Sequence, residues 1–279
     1  LKFTNFNEQN TDNIKNIMKL TKLASIFAFV LASSFAFAAA PGNISVGSVE
    51  GTVVVTAADG VKTKLVAGDM LKQNTRISTE KDSSAKIVLA NGTVIFLKPD
   101  TTLDVTQFEQ NNPSAVDGQD YESFKAEPEA TAGSVTTVSV RNGTAFFKVA
   151  KLLPGSKITV KTRLGDVSVK GTTFYVSVKA ASVSAGCIDG AIEVTPAGRG
   201  ALTLTSARSV TISDAGALSF ERVSSVLSNE AAAAFEGGED DRVSSFGGSS
   251  SSVFDVTMPP AAVEGPNADR IPVNSASSL

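Results

Sequence analysis

The chain has 279 residues, of which 42% are hydrophobic, so it is long enough for one large β domain or two small ones. With 25 basic and 28 acidic residues and a formal net charge of −3, it lacks the clustered Lys and Arg of a nucleic-acid-binding surface. It has no histidine and one cysteine, which excludes Ser-His-Asp and Cys-His catalysis, most zinc sites, C-x-x-C redox chemistry and an intramolecular disulfide.

Residues 1–38 predict an upstream extension followed by a signal peptide. Met18-Lys19-Leu20-Thr21-Lys22 is a short basic region, residues 23–35 are apolar, and Ala36-Phe37-Ala38 offers the small residues that a signal peptidase reads. We therefore expect a mature chain that starts near Ala39, in the periplasm or outside the cell. The alternative is an uncleaved membrane anchor, but the apolar stretch is short for a bilayer and no basic stop-transfer cluster follows it.

Residues 43–108 predict an N-terminal lobe of short β-strands. Asp59-Gly60 and Asn91-Gly92 are strong hairpin signals between runs of alternating apolar residues. Pro99-Asp100 predicts the end of the strand that follows the second hairpin, because proline cannot donate a hydrogen bond to a sheet.

Residues 109–134 break this pattern and predict an acidic linker or loop, interrupted by Pro113 and Pro128. A calcium site is the alternative, but the D-x-[DN]-x-[DN]-G spacing is absent, so we expect no metal. The acidic residues of this segment are Glu109, Asp117, Asp120, Glu122, Glu127 and Glu129.

Strand patterning returns in residues 135–220, where Asn142-Gly143, Pro154-Gly155 and Leu164-Gly165-Asp166 each predict a turn. Residues 91–105 and 142–160 share an outline of turn, strand, proline and second strand, which is consistent with a duplicated β unit. We predict an all-β fold of short antiparallel strands, in a twisted sheet or a solenoid-like arrangement, with two lobes as one possible division.

Residues 221–279 differ in character from the β region. Arg222 to Glu236 contains four consecutive alanines and predicts a short helix. From Gly237 onwards the chain is rich in Gly and Ser, which predicts a flexible, disordered tail. A partner-binding peptide at Val253-Phe254-Asp255-Val256 is the alternative for this tail.

Asp166, Asp189 and Glu193 are the carboxylates that could serve a glycosidase. The two aspartates stand in ordinary turn contexts, and Glu193 alternates with apolar residues as a solvent-facing strand residue does. Glycan clefts also commonly use Trp or Tyr platforms, whereas this chain has no Trp and two Tyr. We therefore predict that the protein is not an enzyme and has no catalytic residue and no cofactor.

Basic residues enrich the second β region, where they could contact an acidic partner or the chain's own residues 109–134. The interpretation we favour is that they keep the protein soluble and protect strand edges. These residues are Lys148, Lys151, Lys157, Lys161, Arg163, Lys170 and Lys179. Cys187 is interpreted as a small buried strand residue, with an intermolecular disulfide or lipid attachment as the alternative.

Val169-Lys170-Gly171-Thr172-Thr173-Phe174-Tyr175-Val176 resembles the V-R-G-T-x-F-x-V signature of the FecR domain. Residues 162–167 resemble its T-P-x-G-x-V lead-in, and residues 188–194 resemble the v-x-x-G-x-V-x-V pattern that follows. Upstream, Gly68-Asp69-Met70-Leu71 and Asn91-Gly92-Thr93-Val94-Ile95 resemble further parts of the family pattern. In outline the resemblance covers residues 44–215.

The resemblance implies an all-β, extracytoplasmic domain, which in iron-uptake regulators senses a loaded outer-membrane transporter and relays that state to a cytoplasmic sigma factor. Those regulators carry an anti-sigma region and a transmembrane helix, and we identify neither pattern in this sequence. We therefore expect an exported, non-enzymatic domain for protein–protein interaction or envelope signalling, with an unidentified envelope partner and no membrane span after signal cleavage. The alternatives are a structural or adhesive surface protein and, less favoured, a carbohydrate-active protein.

The residues of the signature are expected to serve the geometry of the strand and to mark the fold, rather than to form a binding site. They are Val169, Gly171, Thr172, Phe174 and Val176.

Overall fold

The computed structural model describes residues 39–111, 121, 124, 126, 133–169 and 171–236. These residues form 18 β-strands and one α-helix, which confirms the predicted all-β class. The predicted signal peptide and tail lie outside the described residues, as does most of the acidic segment. Within the part that is described, no helix has the length and apolar character that crossing a bilayer requires.

The strands pair into two open sheets, and every pair is antiparallel except β10 with β11. Sheet 1 contains, in spatial order, β4 (Lys62–Lys64), β3 (Val53–Thr56), β6 (Thr75–Thr79), β9 (Thr102–Gln110), β10 (Ser134–Lys148), β11 (Lys157–Thr162), β12 (Gly165–Val169), β15 (Ala191–Pro196) and β16 (Leu202–Thr205), with β1 (Ala40–Pro41) beside the end of β9.

Sheet 2 is formed by β5 (Met70–Leu71), β2 (Ile44–Glu50), β7 (Ser84–Leu89), β8 (Val94–Leu97), the same β10, β13 (Thr173–Lys179), β14 (Ser182–Asp189), β17 (Arg208–Ser213) and β18 (Leu218–Arg222). Both sheets contain strands from the predicted lobe 43–108 and from the predicted core 135–220, and the division into lobes stays a prediction.

Strand β10 belongs to both sheets. Its residues 134–142 pair with β9 in sheet 1, and its residues 143–148 pair with β8 and β13 in sheet 2. The strand changes sheet at Gly143, whose φ is +84° and where an added Cβ would lie 2.4 Å from Thr101 Oγ1. The prediction of a turn between strands at Asn142-Gly143 was therefore wrong, because the glycine bends one continuous strand instead of joining two.

The hairpins predicted at Asp59-Gly60 and Asn91-Gly92 are confirmed, joining β3 to β4 and β7 to β8. In the first, the backbone N–H of Val61 donates to Asp59 Oδ1 at 3.0 Å. In the second, the N–H of Thr93 donates to Asn91 Oδ1 at 3.1 Å. Both aspartate and asparagine thus hydrogen-bond the backbone two residues further on, which favours the turn.

The core lies between the two sheets and contains inward-facing residues of both. Apolar and polar residues alternate along the strands, so that Val138 and Val140 on β10 enter the core while Ser139 faces outwards. At its centre Phe147 and Phe174 stack with ring centroids 4.7 Å apart and an angle of 8° between the rings. A single apolar core therefore holds the two sheets together.

The predicted helix is confirmed as α1 (Ser225–Glu236). It begins three residues later than Arg222, because residues 218–222 form β18, an edge strand that the sequence analysis missed. Ser224 caps the helix by accepting a hydrogen bond from the N–H of Leu227 on its side-chain oxygen at 3.3 Å.

Candidate interaction surfaces

The signature residues lie where the chain crosses from sheet 1 to sheet 2. Val169 ends β12, and Phe174 and Val176 on β13 enter the core with no exposed surface. The backbones of Val149 and Thr172 exchange two hydrogen bonds of 3.0 and 3.1 Å, and Thr172 Oγ1 donates to the carbonyl of Ala191 at 2.9 Å. The signature side chains thus lie in the core and beside paired backbone, and their structural role stays a prediction.

Gly171 itself allows a close backbone approach. Its φ is +135°, and a Cβ there would lie 3.2 Å from the Cα of Lys151. A side chain would therefore be strained in conformation and crowded by the neighbouring backbone.

The outer face of sheet 2 carries a row of aromatic side chains. Phe96, Phe146 and Tyr175 are cross-strand neighbours on β8, β10 and β13, and the next position in the row is Gly186 on β14. The rings of Phe146 and Tyr175 meet edge to face, with centroids 6.4 Å apart. A Cβ on Gly186 would lie 2.2 Å from Cε1 of Tyr175, so the glycine provides the space that the ring occupies.

Tyr175 is only 5% exposed. Burial raises the pKa of its phenol, the charge of Glu221 raises it further, and a hydrogen bond with Ser209 opposes both. The phenol therefore stays neutral and acts as an apolar ring with a hydrogen-bonded tip.

Helix α1 covers the aromatic row with two buried alanines and with the half-buried side chains of Leu227 and Phe235. Ala231 and Ala234, which are 1% and 8% exposed, pack with Phe146 and Tyr175. Lys98 Nζ lies 2.6 Å from Glu230 Oε2 on the helix and 5.9 Å from the centre of the Phe146 ring. Phe146 and Tyr175 of the aromatic row are therefore buried under the chain's own helix, and Phe96 is half-buried.

A second apolar contact covers the neighbouring part of the same face. Phe124 and Ala126, from the acidic segment, are 2% and 1% exposed and pack with Val88 and Val94. Beside them Lys148 Nζ lies 6.0 Å from the centre of the Phe235 ring. Part of the segment predicted as a linker is thus packed against sheet 2.

The outer face of sheet 1 is polar. Its outward-facing side chains are exposed or half-buried, and most carry hydroxyl or charged groups. At its centre Arg76 on β6 and Arg141 on β10 flank Asp104 on β9. Arg76 Nε donates to Asp104 Oδ1 at 2.7 Å and Arg76 Nη2 donates to Oδ2 at 3.2 Å, while Arg141 Nε donates to Oδ2.

This Arg-Asp-Arg cluster is asymmetric in exposure. The Asp104 side chain is 15% exposed, whereas the arginines are 47% and 58% exposed. Burial pushes the pKa of Asp104 upwards, but hydrogen bonds and charge from Arg76 and Arg141 outweigh burial and hold that pKa below its usual range. At neutral pH the ionised carboxylate of Asp104 thus fixes two guanidinium groups whose outer edges face solvent.

Two shallow cavities of about 400 Å³ adjoin the cluster. One is lined by Arg76, Asp104 and Arg141, and the other by Arg141, Lys161 and Arg163. Arg163 is also held in place, because its Nη2 donates to the carbonyls of Lys179 and Ala180 at 2.8 and 3.1 Å and its Nη1 pairs with Asp214. Oriented guanidinium groups beside a cavity suit carboxylates and other oxyanions.

The three carboxylates considered for a glycosidase do not form one site. Asp166 and Glu193 lie on the outer face of sheet 1, and Asp189 ends β14 in sheet 2. The cavity of about 680 Å³ beside Glu193 takes in neither aspartate. No group of three His, Cys, Asp or Glu side chains within the described ranges is placed to hold a metal ion.

The seven basic residues of the second β region do not form one surface either. Lys148 lies on the outer face of sheet 2, Lys161 and Arg163 line a cavity of sheet 1, and Lys157 lines the cavity beside Glu193. The side chain of Lys170 lies outside what the structure describes. The sequence analysis missed the Arg-Asp-Arg cluster, whose signal was a charged residue at the outward position of three strands that are distant in sequence.

Cys187 is fully buried in the core. Burial raises the pKa of its thiol to about 11, the charge of Asp189 acts in the same direction, and a backbone hydrogen bond involving Ile192 opposes them. The buried-residue interpretation is confirmed, since a protonated, inaccessible thiol is unreactive.

Residues 75–193 match the family model described as "FecR protein", a shorter range than the outline resemblance. No curated protein is similar to the chain. Crystal structures at 1.65 and 2.50 Å of a candidate anti-sigma factor from Parabacteroides distasonis are similar, with a TM-score of 0.40 and 20% sequence identity. The alignment covers 53% of this chain and 59% of that protein, which is less than two thirds of its length.

Proposed function

We propose, from the match of residues 75–193 to the FecR family model, that the chain is an exported protein that binds another protein in a signalling system of the cell envelope. The domain assignment supports a role in signalling or protein interaction. Export is supported by the basic, apolar and small-residue regions of residues 18–38. The proposed partner is a protein, and no catalysis is part of the proposal.

The observation that carries the proposal is the open, polar outer face of sheet 1 with the Arg76-Asp104-Arg141 cluster at its centre. Exposed arginines that are already held in one conformation lose little side-chain entropy when they bind. Arginine is also among the residues that contribute most of the binding energy at protein interfaces. We therefore assign the partner-binding surface to this face, with acidic side chains of the partner meeting the guanidinium groups.

The test is capture of partners from an envelope extract by cross-linking, quantified by mass spectrometry. The full chain is compared with the double variant Arg76→Gln and Arg141→Gln. A matched control is the double variant Arg208→Gln and Arg222→Gln, since these arginines are exposed and directly paired across β17 and β18 in sheet 2. We expect the first variant to lose about tenfold or more of the captured partner and the control to keep it. Equal capture by both variants would refute the assignment to sheet 1.

Export is tested separately by fractionation of cells and mass spectrometry of the mature ends of the protein. We expect an N-terminus near Ala39 and recovery in the periplasmic or extracellular fraction. Recovery in the cytoplasm with residues 18–38 intact would contradict export without affecting the result on sheet 1.

A further inference from the structure

The groove between α1 and the outer face of sheet 2 is only partly filled. A cavity of about 370 Å³ remains there, with Phe96 and Phe146 on its floor and Ala233 and Ala234 of the helix on its other side. Ala232 and Ala233 are both exposed, but only Ala233 lines this cavity. Phe146 is already fully buried and Phe96 is half-buried, so a larger side chain at position 233 has room in this cavity beside Phe96, and alanine leaves that room unused.

The charges around the groove are mainly positive on the sheet side. Lys86, Lys98 and one carboxylate, Glu50, line the cavity from the sheet side, and Lys148 lies nearby against Phe235. The helix supplies Glu230, which lies 2.6 Å from Lys98. A helix with an acidic residue at this position is therefore electrostatically matched to the sheet.

No large side chain of α1 is fully buried. Its buried residues are Ala231 and Ala234, while Leu227 and Phe235 are half-buried against the aromatic cluster. The Lys98–Glu230 ion pair has side chains that are 31% and 40% exposed. Two buried alanines contribute much less apolar burial than two leucines would, and an ion pair of this exposure contributes little. Helix α1 follows an edge strand, so its displacement would break no strand pairing.

We propose that this groove is a helix-docking site in which an amphipathic helix of a partner protein replaces α1. We call α1 the resident helix of the groove. The resident helix defines the chemistry of that partner helix. It carries small residues at the positions of Ala231 and Ala234, a carboxylate at the position of Glu230, and an apolar side chain larger than alanine at the position of Ala233. This site is distinct from the face of sheet 1 and does not depend on it.

The test uses labelled synthetic peptides of residues 224–236 and the full chain. One peptide carries Ala233→Leu, and its matched control carries Ala232→Leu, which has the same composition and places the leucine away from the cavity. Each is titrated by fluorescence anisotropy into the unaltered chain and into a full-chain variant with Ala231→Glu, which places a charge under the helix. Hydrogen exchange of the α1 amides reports whether the resident helix has left the groove.

We expect the Ala233→Leu peptide to bind the Ala231→Glu chain about tenfold more tightly than the unaltered chain, because the resident helix no longer competes. We also expect it to bind about fivefold more tightly than the Ala232→Leu peptide, the gain that a buried leucine contributes. Equal affinity of the two peptides, or no binding to a chain whose α1 amides exchange freely, would overturn the proposal.

The same applies if the α1 amides of the variant stay as protected as those of β13, since the helix would then be a fixed part of the fold. If Ala231→Glu unfolds the whole chain, the milder change Glu230→Lys is used instead. It opposes Lys98 with a like charge, and the same order of peptide affinities is expected.

Discussion

The two sheets share one core, yet their outer faces are opposite in character. Sheet 2 presents Phe96, Phe146 and Tyr175, which are covered by α1. Sheet 1 presents hydroxyl and charged side chains, with Arg76 and Arg141 held by Asp104. Each aromatic ring carries far more apolar surface than a serine or threonine, so the outer face of sheet 2 needs a cover and that of sheet 1 does not.

The cover on sheet 2 and the open face of sheet 1 therefore have separate roles. A covered aromatic face is protected from aggregation and can be regulated through its cover. An open face with fixed charges is available to a partner at all times.

The largest loss of stability is expected from a substitution of Gly186, because a side chain there would disrupt the packing of the covered face. We expect Gly186→Ala to lower the free energy of unfolding by about 3 kcal/mol, because the new Cβ would overlap the Tyr175 ring. Denaturant titration measures this change. Gly200→Ala is the control, since a Cβ there meets nothing within 4 Å and the change should stay below about 0.5 kcal/mol.

A second change distinguishes steric overlap from a need for backbone freedom at this position. Adding Tyr175→Val to Gly186→Ala removes the ring that the Cβ meets, and part of the lost stability should return. If the double variant loses at least as much free energy of unfolding as the two single variants lose together, overlap with Tyr175 is not the cause.

A smaller effect, on the order of 1 kcal/mol, is expected at neutral pH for Asp104→Asn in the open face. The folded-state pKa of Asp104 lies below its ordinary value of 3.8, so its carboxylate stabilises the fold above that pH and the contribution is lost as the pH falls through the folded value. The stability difference from the unaltered chain should therefore be full at pH 7 and vanish in strong acid, as denaturant titration at several pH values would show.

Asp214→Asn is the matched control for this expectation. Asp214 also pairs with an arginine, Arg163, but its side chain is 51% exposed, compared with 15% for Asp104. We expect a smaller loss of stability at neutral pH. Equal losses from the two variants would mean that the partly buried double pairing of Asp104 adds nothing.

The smallest loss of stability is expected from a substitution of Glu230. It measures how strongly α1 is held against sheet 2. Glu230→Gln removes the ion pair with Lys98 and should cost about 0.5 kcal/mol or less, visible as faster hydrogen exchange in α1 and unchanged exchange in β13. Glu236→Gln, an exposed position at the end of the same helix, should leave the exchange of α1 unchanged. Faster exchange throughout sheet 2 would show that the helix and the sheet open together.

The local parts of the fold could be predicted because their causes are local. Asp59-Gly60 and Asn91-Gly92 each specify a tight turn by their own side-chain and backbone geometry. Asn142-Gly143 is the same dipeptide as Asn91-Gly92, but it bends a continuous strand. The pairing of β10 with strands of both sheets decides its conformation. A dipeptide signal thus indicates a change of chain direction, and tertiary pairing decides which kind.

The candidate surfaces could not be predicted because they depend on which strands become neighbours. Arg76 and Asp104 are 28 residues apart in sequence, and Asp104 and Arg141 are 37 apart. Each is an ordinary outward-facing charge on its own strand, and only the order of strands brings them together. The same holds for Gly186, whose place opposite Tyr175 follows from the register of β13 with β14.

Strand β10 couples the folding and unfolding of the two sheets. One half of the strand completes sheet 1 and the other half completes sheet 2, with the two halves separated by the bend at Gly143. Neither sheet can melt without removing a central strand from the other, so the two sheets form one cooperative unit. Because β10 pairs in both sheets with strands that are distant in sequence, its pairing is expected to slow folding.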